Sequence, residues 1–158
     1  MNSKSLVRLA TSLSMCLGLG ILESMVTRPE IPTWYATLTK PWWTPPPLAF
    51  PIVWTILYIM MAISFWRLWN KGPPSVDGSK SMAWFLIQLG LNAAWSPVFF
   101  SLHDTKTALV IISALVAAIG ATIIWACRVD RVAAGLLMPY LAWVMYATTL
   151  NVGVVMMN

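Results

Sequence analysis

A chain of 158 residues with 59% apolar and only 9% charged side chains cannot clothe a soluble core, since soluble domains carry roughly 25% charged residues. Its net charge of +5 comes from ten Lys and Arg against five Asp and Glu, but they form no basic run or stripe, which excludes nucleic acid as a partner. Two cysteines, Cys16 and Cys127, are too few for a disulfide framework or a cysteine metal site, and both lie inside apolar spans as small packing residues.

A hydrocarbon core about 30 Å thick takes roughly 20 apolar residues as a helix. The first such span covers about residues 6–26. Lys4 and Arg8 before an apolar run resemble a signal peptide, but Glu23 follows the run and no A-x-A site is evident, so a retained helix is expected. Glu23 lies near the helix end, where it can reach water, and is read as structural rather than functional.

Residues 27–47 form the longest loop, with Pro29, Pro32, Pro41, Pro45, Pro46 and Pro47. Proline fixes φ and removes a donor, so this stretch is not one helix, though a short turn near 33–38 fits. Trp34, Tyr35, Trp42 and Trp43 give it an apolar underside. The loop is either a packed lid or an interfacial aromatic belt, and the sequence leaves both open.

The second span, about 48–69, carries a helical stripe of Pro51, Trp54, Tyr58, Met61 and Phe65. Residues 70–80 read as a solvated turn. The third span, about 81–102, aligns Trp84, Gln88, Asn92 and Trp95. An amide facing lipid is costly, so Gln88 and Asn92 must point inward. Interhelical glue suits Gln88, and a ligand cavity suits Asn92. Gly90 and Ala94 are small residues at a spacing that lets helices meet closely, and they are the candidate homodimer face. After a tight connection, the fourth span (about 107–127) repeats small residues at Ser113, Ala117 and Ala121, expected to pack within the bundle. The fifth (about 133–157) aligns Pro139, Trp143, Tyr146, Ala147 and Leu150. Pro51, Pro97 and Pro139 can each kink a helix.

The expected fold is an all-α integral membrane bundle of five transmembrane helices, one domain over residues 1–158. Lys4, Arg8, Arg67, Lys71, Lys80, Arg128 and Arg131 fall on the N-terminal side and only Arg28, Lys40 and Lys106 on the other, which puts the N-terminus inside. One histidine, His103, lies in a short loop. No catalytic triad, metal cluster or phosphate loop can be assembled. A tetrapyrrole would be held by stacking and hydrogen bonds rather than by ligation, with no cofactor required.

Three motifs in order resemble the TspO/MBR family (translocator protein, tryptophan-rich sensory protein, peripheral benzodiazepine receptor-like). The first joins Trp34-Tyr35 to Lys40-Pro41-Trp42-Trp43-Thr44-Pro45-Pro46 and the Phe50–Tyr58 run. The second is Leu91-Asn92-Ala93-Ala94-Trp95-Ser96-Pro97. The third is Met138-Pro139-Tyr140-Leu141-Ala142-Trp143 with Ala147, Thr148 and Asn151. The resemblance covers nearly the whole chain. It implies a five-helix bundle, usually a homodimer, with a cavity under the first loop for porphyrins and, in eukaryotic members, cholesterol and benzodiazepine-type drugs. It also implies ligand contacts at Tyr35, Trp54, Asn92, Trp95, Trp143 and Ala147. Together with the stripes and loop aromatics, the ligand-binding set becomes Tyr35, Trp42, Trp43, Trp54, Tyr58, Gln88, Asn92, Trp95, Trp143 and Ala147. The family's proposed sterol motif needs a basic residue after the fifth-helix Tyr, and none follows Tyr140 or Tyr146, which favours a bacterial cell membrane over a mitochondrial outer membrane.

Three functions follow as expectations. The first is binding of protoporphyrin IX or a related tetrapyrrole for transport or sensing. The second is Trp-dependent, light-driven porphyrin degradation. The third is a membrane interaction protein whose indoles are only belt and packing.

Overall fold

In the computed structural model, residues 2–72 and 74–158 are described. They form helices α1 (Ser3–Thr27), α2 (Trp34–Thr37), α3 (Ala49–Lys71), α4 (Val76–Ser96), α5 (Thr105–Val129) and α6 (Arg131–Met157). A 3₁₀ turn (Arg28–Glu30) extends α1 and a π-helical turn (Pro97–Ser101) extends α4. Five of these segments are long and apolar enough to cross a membrane. The expected five spans are therefore present, with ends that differ from the hydropathy outline by one to a few residues.

The helix ends show why. Ser75 caps α4 by accepting the Gly78 N–H at 3.0 Å, so residues 76–80 are helical rather than solvated turn. Gly78 also lies against the Gly72 backbone where a Cβ would collide, so the α3–α4 connection closes only with glycine there. Asp104 caps α5 through the Thr107 N–H at 3.0 Å. One residue, Asp130, joins α5 to α6: its N–H donates to Ala126 O at 2.8 Å and its carboxylate accepts from Val132 N at 3.0 Å.

Around the bundle, α1 packs on α3, α3 on α6, α6 on α5 and α5 on α4, with α4 returning towards α1. Lipid offers apolar side chains as good an environment as another helix does, so close packing and internal hydrogen bonds hold such a bundle. Buried Ser64 illustrates this, donating across to Ala133 O at 2.8 Å. Pro51 sits in the first turn of α3, where its missing N–H had no acceptor, and Pro139 lies inside α6.

Two packing expectations are corrected in part. Of the small residues on α5, which include Ala114 and Ala118 beside the Ser113 row, Ala118 is buried as expected, but Ser113, Ala114 and Ala117 face outward, and α5 packs chiefly through Ile112, Leu115, Ile119 and Thr122. Cys16 is buried as expected, but Cys127 is exposed, because α5 turns that side of its last two turns away from the bundle.

The two ends differ. At one, Arg67 and Lys71 of α3 meet Asp130 at 2.8 and 3.0 Å, Arg8 of α1 donates to Trp69 O at 3.1 Å, and Arg128 faces Asp77 at 3.9 Å. At the other, residues 28–48 cover the helix ends.

Candidate functional site

The covering loop packs against the helix ends through several separate contacts. Trp34 stacks on His103 with ring centroids 4.2 Å apart and meets Phe99 edge-on at 5.5 Å. His103 adopts φ of 56°, and its Nε2 lies 3.2 Å from Glu30 Oε2. Tyr35 packs on Phe100 and Phe99, with Lys40 Nζ 4.8 Å from its ring centre. Burial pushes the Tyr35 hydroxyl up from its usual pKa. Asn158 brackets Thr39, accepting its N–H at 2.9 Å and donating to its carbonyl at 3.0 Å. The Tyr146 hydroxyl donates to Trp43 O at 2.6 Å. Pro41 is buried directly over Gly153 of α6, where any Cβ would strike the proline ring.

Beneath the lid, Trp95 stacks on Phe99 at 5.2 Å and donates its indole N–H to Asn151 Oδ1 at 3.2 Å, while Asn151 donates to Thr105 O at 2.9 Å. Trp95 thus belongs to the aromatic layer that Tyr35 closes. Asn151, part of the third motif but not of the expected ligand contacts, lies four residues beyond Ala147 on the same face of α6.

Deeper, the polar side chains form a directed chain. Asn92 Nδ2 donates to Tyr58 Oη at 2.7 Å, and Tyr58 Oη donates to Glu23 Oε2 at 2.7 Å. This corrects the expectation that Glu23 reaches water: its Oε2 is bonded inward and its Oε1 is buried. The cause is Gly20, one turn earlier in α1. A Cβ there would lie 2.7 Å from the Tyr58 ring, so only glycine lets α1 come close enough for Glu23 to meet that hydroxyl. Trp54 stacks on Tyr58 at 5.7 Å and meets Tyr140 edge-on at 6.3 Å. Gln88 is buried one turn from Asn92, and neither of its amide atoms has a partner among the described residues, so it does not act as glue. The Tyr140 hydroxyl is likewise buried and unpaired.

On the flank between α3 and α6 lies an apolar groove of about 530 Å³, lined by Val53, Ile56, Leu57, Met60, Pro139, Ala142, Trp143 and Tyr146. Trp143 packs on Phe50 and Tyr146, and its buried indole N–H has no partner among the described residues. Val53 and Leu57 alternate along α3 with Trp54 and Tyr58, so the groove backs onto the inner chain.

Nine of the ten expected ligand residues therefore fall into three adjoining places. Tyr35, Trp43 and Trp95 belong to the lid layer. Trp54, Tyr58, Gln88 and Asn92 form the inner cluster, with Ala147 packed against the adjacent core. Trp143 lines the groove. Trp42 stands apart, 90% exposed and touching Trp43 edge-on. Gly90 faces outward on α4 with nothing within 4 Å of a built Cβ, and Ala94 is half-buried one turn on.

Comparison with known proteins is consistent throughout. The sequence profile of the TspO/MBR family matches residues 12–157. The tryptophan-rich protein TspO of Archaeoglobus fulgidus is 36% identical over 154 residues, covering 98% of this chain and 99% of its own. That of Chlorobaculum tepidum is 36% identical over 156 residues, covering 99% of each. The translocator protein of Homo sapiens is 38% identical over 119 residues, 75% of this chain and 70% of the human one.

Proposed function

The chain belongs to the TspO/MBR family of multi-pass membrane proteins, and on that premise we propose that it binds a planar tetrapyrrole of the protoporphyrin IX kind, for transport or sensing. One observation carries the reading. Aromatic faces from α3 and α6 adjoin hydrogen-bonding groups from α3 and α4 beside a groove of about 530 Å³. That volume lies within the ~300–1,000 Å³ of ordinary ligand pockets. A macrocycle needs flat aromatic surfaces to stack on and a few polar contacts to orient it. Trp54 and Trp143 supply the surfaces. Asn92, Gln88 and Tyr58 supply the polar contacts. Lys40 and Arg28 on the lid side complement acidic side groups.

Titrating the purified protein with protoporphyrin IX should quench Trp fluorescence saturably. Trp54→Ala and Trp143→Ala should each weaken binding about tenfold, the loss of one stacked ring. Unchanged affinity in both variants rejects the site. The same reading includes a pair of copies meeting through the outward face of α4. Gly90→Leu should then shift the protein from dimer to monomer in light-scattering measurements, and an unshifted mass removes that face.

A further inference from the structure

The basic end of the bundle carries seven Lys and Arg, and its two carboxylates are already committed, Asp130 to Arg67 and Lys71 and Asp77 to Arg128. Lys80 lies over the Trp125 ring at 4.2 Å, and Arg131 stands exposed on the first turn of α6. The remaining two, Lys4 and Arg8, form no ion pair among the described residues. Both line one pocket of about 350 Å³ between the start of α1 and the end of α3, together with Ser3, Val7 and Trp69.

Hydrogen bonds between α1 and α3 hold the walls of this pocket. Trp66 donates its indole N–H to Ser5 O at 3.0 Å, and Asn70 Nδ2 donates to Ser5 Oγ at 3.3 Å. Arg8 donates through Nη1 to Trp69 O and to Asn70 Oδ1, each at 3.1 Å, and its guanidinium lies 5.7 Å from the Trp69 ring centre. Those bonds occupy one nitrogen. Nε and Nη2 keep their N–H groups without an acceptor among the described residues. A guanidinium held at one edge and open at the other presents the planar fork that takes a phosphate through two parallel bonds.

Position and charge select the ligand. Val7 on the pocket wall is 65% exposed and its neighbour Leu6 51%, side chains that a membrane helix leaves to acyl chains. The pocket thus has an apolar flank towards lipid beside the polar groups of Ser3, Lys4 and Arg8. Free phosphate uses only the polar groups, whereas a glycerophospholipid uses both. No carboxylate lines the pocket, so a headgroup ammonium would meet only repulsion from Lys4 and Arg8. Basic pockets between membrane helices suit anionic headgroups for this reason.

We propose that this pocket binds an anionic phospholipid whose headgroup carries no ammonium, the phosphatidylglycerol class, with its phosphate on the open fork of Arg8 and beside Lys4. The site lies at the end of the bundle opposite the lid and is independent of the tetrapyrrole reading. It also has a structural consequence. Among the long helices α1 buries the fewest side chains, only Ser12 and Cys16, and a headgroup seated between it and Trp69 of α3 supports that weakly packed helix.

Native mass spectrometry of the full chain in mild detergent can count bound lipids as dioleoyl phosphatidylglycerol or dioleoyl phosphatidylcholine is added. The acyl chains are identical, so the ratio of affinities reports the headgroup. Wild type should take its first phosphatidylglycerol about tenfold more tightly, the scale of one hydrogen bond between charged groups. Arg8→Gln should remove most of that preference. Lys4 makes no hydrogen bond among the described residues, so Lys4→Gln should fold as wild type does and lower the preference to about threefold. It decides alone should Arg8→Gln fail to fold. Arg131→Gln removes the same charge at the same end but outside the pocket, and should leave the preference at its wild-type value. Equal affinity of wild type for the two lipids overturns the proposal. So does an Arg131→Gln variant that loses as much as Lys4→Gln, because the attraction is then diffuse. Calorimetric titration with inorganic phosphate alone should show no binding, and saturable binding there overturns the lipid in favour of a free-anion site.

Discussion

The two ends of the bundle are held by different forces. At the basic end, the ties are charges: Arg67 and Lys71 converge on Asp130, and Arg128 faces Asp77. At the lid end, the described residues show a contact between His103 and the Glu30 carboxyl, and the rest is stacking, proline on glycine, and neutral hydrogen bonds to the loop backbone. A converged ion pair fixes the angle between helices. A set of small, separable contacts fixes a loop that can still lift. One end therefore fixes the angles between helices through charge, and the other closes over the helix ends through contacts that can be lost one at a time.

Breaking the basic end should have the largest effect. Asp130 joins two helices, caps α6 and receives two cations, with its side chain 3% exposed. Burial pulls its carboxyl up, but hydrogen bonds from Arg67, Lys71 and the Val132 N–H outweigh this and hold its pKa down at about 2. Removing one partner of such a pair strands the others. Arg67 and Lys71 keep contact with water, so the cost of Asp130→Ala is set at about 2–3 kcal/mol, or a Tm in detergent lower by roughly 5–10 °C. The sign with pH follows from linkage. A depressed carboxyl stabilises the fold fully above its ordinary value of 3.8, and that contribution fades as pH falls through about 2. The gap in Tm between wild type and Asp130→Asn should therefore be widest near neutrality and close towards pH 2. A gap that is constant with pH contradicts the ion-pair account.

The next effect belongs to the lid. Gly153→Val would drive a branched side chain into the buried ring of Pro41. Overpacking of this kind costs about 1–3 kcal/mol where it cannot relax, but a lid can move. The expected outcome is a Tm nearly unchanged, with faster hydrogen exchange across residues 39–44 and weaker porphyrin binding. Gly135→Val is the matched control on the same helix, since Gly135 has nothing within 4 Å of a built Cβ. Equal exchange in the two variants would show that Pro41 is not an anchor.

This contrast also explains what could be read from the chain. The five helices were legible because hydrocarbon thickness fixes their length and apolar composition. Their polar ends were not, because the Ser75 cap and the Gly72–Gly78 approach lie outside any apolar window. Gln88 and Asn92 were legible as inward because an amide in lipid has no other home. Whether Trp95 joins the lid layer while Trp143 turns to the groove depends on the rotation of each helix, which periodicity alone leaves free. Glu23 was misjudged for a similar reason. Its distance along the helix suggested water, but the direction of its side chain was set by Gly20 closing on Tyr58, a contact between residues 38 apart in sequence.

The smallest effect tests whether the lid can loosen without any loss of stability. His103 adopts φ of 56°, a left-handed conformation that costs a non-glycine residue on the order of 1–2 kcal/mol. The same residue gains the stack on Trp34 and the contact with Glu30, together worth about 1–2 kcal/mol. In His103→Gly the two terms offset, because glycine takes the turn freely but has no ring. Its Tm should stay within about 2 °C of wild type. The lid, however, loses the support under Trp34, so amides of residues 30–37 should exchange a few-fold faster and porphyrin should dissociate faster. His103→Ala keeps the backbone cost and loses the ring, so it should show the same lid loosening together with a lower Tm. If His103→Gly left exchange in residues 30–37 at the wild-type rate, the stack would be incidental, and the lid would be held by Asn158, Tyr146 and Gly153 alone.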